Sequence, residues 1–101
     1  METSLKLELE ERRKWLASKL NSFLAVGKTE NWKIAKEISE MSKDSLEKLE
    51  GNELNDDPFT HFVDILYEVQ QLEDFGNSPF PREKDVREWV LFLEKFSLRK
   101  Y

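Results

Sequence analysis

The chain reads as an all-α protein, an antiparallel up-down-up-down four-helix bundle, on three observations. Helix breakers are few and regularly placed: the glycines are Gly27, Gly51 and Gly76, and the prolines are Pro58, Pro79 and Pro81. Between them, apolar residues recur every three or four positions, and no stretch alternates β-branched residues as a strand would. The connections span about 3 to 7 residues, which suits antiparallel neighbours and leaves little room for crossovers. At 101 residues, one domain covering 1–101 with a single modest core is expected.

The first helix, about 4–26, carries Leu5, Leu9, Leu16, Leu20 and Phe23 on one stripe, with Gly27 as its stop. Arg12 and Arg13 interrupt that stripe, and their stems are expected to lie along apolar surface with the charged heads in water. The second, about 29–50, opens on Thr29 as N-cap with Glu30 in the first turn. Its stripe is Ile34, Ile38, Met41, Ser45 and Leu49, the weakest packing surface of the four, and Gly51 ends it. The third, about 58–75, has Asp57 as N-cap and Pro58 at the first helical position. Phe59, Phe62, Val63, Leu66 and Val69 follow, with Gly76 as the stop. The fourth, about 81–98, carries Val86, Trp89, Val90, Leu93 and Phe96.

Composition excludes several chemistries. Zero cysteines remove disulfides, thiolate nucleophiles and Cys-based zinc or iron–sulfur sites. There is no glycine-rich phosphate loop, no nucleophile elbow and a single histidine, so the expectation is a non-enzymatic protein with no cofactor and no metal site. No apolar run approaches the roughly 18 residues of a membrane span, and no basic-then-apolar leader opens the chain. A cytoplasmic protein with no membrane association is expected.

Charge is unevenly distributed. The net charge is +2 over residues 1–39, −9 over 40–76 and +2 over 77–101, against −5 for the whole chain. The acidic belt at 40–76 is densest at Glu50, Glu53, Asp56 and Asp57. Such a one-sign surface keeps a protein soluble and steers it toward a partner with a basic surface. It opposes nucleic-acid binding, which needs a positive track. Arg82, Lys84, Arg87, Lys95, Arg99 and Lys100 do not supply one, being interleaved with Glu83, Asp85, Glu88 and Glu94.

Two further features bear on function. Leu91 and Leu98 fall one heptad apart on nearly the opposite side of the fourth helix from its stripe, with Phe92 on the flank beside Lys95. Trp15 and Trp32 also sit off their stripes. Apolar residues on a second face mark either a central helix or a docking surface, for another protein or for a homodimer seam. His61 shares a helical face with Asp57, Asp64 and Glu68, which is either a solvated ion-pairing face or part of a metal site. The function expected is therefore an interaction module of the adapter, inhibitor or immunity type. It would use the acidic belt and Leu91, Leu98, Phe92 and Lys95. The alternative is a metal- or small-ligand-binding regulator using the His61 face or the acidic 50–57 loop.

Overall fold

The structure is a computed structural model that describes residues 1–26, 28–74 and 81–101. It holds four α-helices: α1 (Thr3–Ala25), α2 (Lys28–Leu49), α3 (Asp57–Val69) and α4 (Glu83–Lys95). A 3-10 turn, Gln70–Asp74, extends α3, and another, Leu98–Lys100, follows α4. No strand occurs among the described residues.

Pairwise contacts fix the up-down-up-down order. Along α1 and α2, Glu8 meets Lys48, Arg12 meets Asp44 and Lys19 meets Glu37, so one number rises as the other falls. Along α1 and α4, Glu10 meets Leu98 and Arg13 meets Leu93 in the same sense. Along α3 and the C-terminal segment, Phe59 meets Tyr101 and Phe62 stacks on Phe96. The core lies between these seams, with Leu9, Leu16, Leu20, Ile38, Leu49, Phe59, Phe62, Ile65, Leu66 and Leu93 fully buried.

The start of α3 differs by one residue from expectation. Asp56 is the N-cap, its Oδ1 accepting from the Phe59 amide at 3.0 Å, so Asp57 and Pro58 are the first two helical residues. The third helix is also shorter than expected, since regular α geometry stops at Val69 and Gln70–Asp74 tightens into 3-10. There Ser39 Oγ donates to the Gln70 carbonyl, satisfying it from α2 instead of from the next turn. Thr29 lies inside the first turn of α2, not ahead of it. The stops expected at Gly27 and Gly76 lie outside the described residues.

The buried face of α2 is offset from the expected stripe: Ile38, Ser45 and Leu49 are buried, but Ile34 and Met41 are only half-buried. Ala35, Ser39, Ser42 and Ser45 are all inaccessible, the small side chains letting neighbouring helices approach closely. Ser45 Oγ donates to the Met41 carbonyl at 2.8 Å and accepts from Arg12 Nη1 at 2.9 Å, while Ser42 Oγ has no hydrogen-bond partner among the described residues.

Arg13 departs furthest from the sequence reading. Its guanidinium is buried near the middle of α1, held by Glu10 at 2.7 Å and donating to the Leu93 carbonyl. Glu10 is equally enclosed and accepts from Ser97 Oγ at 2.9 Å and from the Leu98 amide at 3.1 Å. This arrangement ends α4. The Leu93 carbonyl is claimed by a cation at the negative end of the helix dipole, and Leu98 gives its amide to a carboxylate. The chain therefore leaves the helix after Lys95, through an extended Phe96, short of the expected limit at 98.

Candidate functional site

The acidic belt of the sequence becomes one flank of the bundle, formed by the C-terminal half of α2, the loop after it and the outward face of α3. Gly51 makes this junction, with φ +82° in the left-handed region that glycine adopts without strain. The turn also orients Glu53, whose carboxylate accepts from the Gly51 amide at 3.0 Å. Along this seam runs an open groove of about 520 Å³ lined by Lys43, Leu46, Glu47, Glu50, Glu53, Tyr67 and Gln70. Leu46 is half-buried, and Tyr67 projects with 52% of its surface exposed.

The four acidic residues singled out from the sequence divide by role. Glu50 and Glu53 line the groove. Asp56 is taken up by structure: besides capping α3, its Oδ1 accepts from the Tyr101 hydroxyl at 2.6 Å. These two donors, Tyr101 first, hold its pKa below the ordinary carboxylate range. The converse effects, burial first and then the Asp56 carboxylate, push the Tyr101 phenol up to about 12. Asp57 sits exposed in the first turn of α3, where the helix dipole favours a negative charge.

Several carboxylates elsewhere are neutralised within the fold, while Glu88 and Glu94 on α4 are exposed and make no ion pair with any described residue. Arg12 joins Glu8 and Asp44, Lys48 joins Glu8, and Lys19 pairs with Glu37 across the α1–α2 seam. The Lys48 hydrogen bond is the main cause of the lowered pKa of Glu8. On α4, Arg82 pairs with Asp85 and Arg87 with Glu83. By contrast, Glu47, Glu50, Asp57, Asp64 and Glu68 are exposed and make no ion pair with any described residue.

The second face expected on α4 does not survive as a pair of leucines. Leu91 is 56% exposed, whereas Leu98 is inaccessible and part of the core. Their heptad relation requires an unbroken helix, and α4 stops at Lys95 because Glu10 and Arg13 draw the following residues across α1. Phe92 is half-buried, stacked on Phe96 at 5.2 Å between ring centroids. Leu91 stands among Glu83, Lys84, Arg87 and Glu88, and Lys95 is exposed nearby. An isologous antiparallel pairing about Leu91 would set Arg87 against Lys95 and Glu88 against Glu94, like charge on like.

His61 is exposed, and its ring meets Phe92 edge-to-face with centroids 4.3 Å apart. Among the described residues no three His, Asp or Glu side chains converge as metal ligands, so sharing a helical face does not bring His61, Asp57, Asp64 and Glu68 together. Among the described residues, no helix is long and apolar enough to cross a membrane.

Sequence reasoning missed Tyr67, Leu46 and Glu47 as groove residues. The available signal was Tyr67 four residues after Val63, at the edge of the apolar stripe of α3 that faces α2. Its meeting with residues 43–47 depends on the α2–α3 register, which the Ser39–Gln70 bond displays. No protein family, curated protein or solved structure matches this chain.

Proposed function

We propose that this chain is a non-enzymatic protein-interaction module of the adapter, inhibitor or immunity type, whose acidic flank receives the basic surface of another protein. One observation carries the reading. Glu47, Glu50, Asp57, Asp64 and Glu68 stand exposed and make no ion pair with any described residue, on the flank of a fold that neutralises Glu8, Glu37, Asp44, Glu83 and Asp85 internally. Lys43 is the one cation lining the groove on that flank among the described residues. Unmatched charge of one sign raises the encounter rate with an oppositely charged surface and discourages other partners.

The test compares the wild-type chain with a triple variant, Glu47→Lys, Glu50→Lys and Glu53→Lys, by affinity capture from the native host followed by sedimentation of the reconstituted pair. A basic protein that forms a stoichiometric complex with the wild type, weakens with salt and ignores the triple variant supports the reading. Equal capture by both chains, or no captured protein that forms a defined complex, overturns it.

A further inference from the structure

We infer that the α2–α3 groove is the anchor point of that docking surface and takes an arginine side chain from the partner. This rests on the proposed function and adds the place and chemistry of the central contact. The observations favour this seam over the other open surfaces of the molecule. The surface around Leu91 has alternating charge and a single apolar side chain. The groove at Glu11, Arg12, Trp15 and Met41 balances one carboxylate with one cation, and Arg12 is committed to Glu8, Asp44 and Ser45. The α2–α3 groove sets three carboxylates, Glu47, Glu50 and Glu53, against one lysine, Lys43, beside a half-buried leucine and an exposed tyrosine ring.

That combination selects among cations. Carboxylates alone attract lysine and arginine alike. A planar guanidinium also lies flat on an aromatic face, is less strongly hydrated than an ammonium, and can be gripped by a carboxylate through two parallel hydrogen bonds. Leu46 supplies apolar surface for the methylene stem. The groove opens along the seam, so it suits a side chain carried on a protein surface.

The experiment is an NMR titration of the isotopically labelled chain with three short capped peptides, identical except for a central residue that is Arg, Lys or Glu. The Arg peptide is expected to shift the amides of Leu46, Glu50 and Tyr67, and to bind several-fold more tightly than the Lys peptide. The Glu peptide should not bind. Tyr67→Ala should weaken the Arg peptide about tenfold, Tyr67→Phe should retain its affinity, and Leu91→Asp should leave it unchanged. Circular dichroism checks that each variant keeps its helicity; Tyr67 and Leu91 are exposed. Equal affinity of the Arg and Lys peptides, or Tyr67→Ala binding as the wild type does, overturns the groove assignment. If in that case the shifts map to Asp57, Asp64 and Glu68, the acidic flank still stands as the docking surface. If no basic peptide binds even at low salt, both proposals fail.

Discussion

Glu10→Gln tests the polar tie that shapes the C-terminal end of the molecule. The Glu10 side chain is 4% exposed and that of Arg13 8%, with 2.7 Å between Oε1 and Nε. An amide preserves the volume but removes the charge, leaving the guanidinium buried without its counter-ion. Breaking one half of a buried pair in this way costs about 3 to 5 kcal/mol. Acidity gives a second route to the magnitude. The Arg13 hydrogen bond, assisted by the Leu98 amide and the Ser97 hydroxyl, outweighs burial and lowers the carboxyl from 4.5 to about 2. That corresponds to about 3 kcal/mol in favour of the ionised, folded form.

The sign follows from the direction of the shift. The folded value lies below the unfolded one, so the stabilisation is complete above about pH 4.5 and is lost as pH falls through about 2. About 2 kcal/mol of it is gone at pH 3. Urea unfolding followed by circular dichroism at pH 7 and pH 3 should show the wild type losing about 2 kcal/mol more than Glu10→Gln between the two conditions. The other carboxylates titrate in both proteins and cancel in the comparison. Adding Arg13→Met to Glu10→Gln should recover part of the loss at pH 7, because no unpaired charge then remains. Equal pH dependence in the two proteins would refute the argument that this carboxylate is held ionised by the fold.

Six further substitutions separate other parts of the account. Leu98→Ala should destabilise by about 2 to 5 kcal/mol, while Leu91→Asp should change stability by no more than about 0.5 kcal/mol, both read by thermal unfolding. Ser42→Ala should raise stability by about 1 kcal/mol, since it removes a buried hydroxyl without a partner and introduces a better helix former. Ser39→Ala, which leaves the Gln70 carbonyl unpaired, should lower it in the same urea titration. Asp56→Ala should lower the melting temperature more than Asp57→Ala, because only Asp56 caps α3 and ties down Tyr101.

The features legible in the sequence are those set within a few residues of the chain. Apolar spacing located all four helices, and Asp57-Pro58 marked the start of α3 to within one residue. Gly51 marked the end of α2 because left-handed geometry there is a local property. The acidic flank was legible as a run of like charge along residues 40–76. What escaped notice depends on residues far apart. Periodicity continues α4 through Leu98, and only the Glu10–Arg13 pair, more than 80 positions earlier, explains why the helix stops at Lys95. The buried role of Arg13 was hidden for the same reason, its compensating groups being a carboxylate on its own helix and a carbonyl on the last. Tyr67 could not be joined to Glu47 and Glu50 without the register between α2 and α3.

The junction of α1 with the end of α4 has a consequence for synthesis. During synthesis α1 emerges well before α4, so the groups that neutralise its interior charges arrive only with Leu93, Ser97 and Leu98. The α2–α3 hairpin can close on local contacts while α1 waits, half-clad, for residues 93–98 to clear the exit tunnel. Truncation before residue 93 would thus leave α1 a sticky amphipathic segment, the kind of species that quality-control machinery removes.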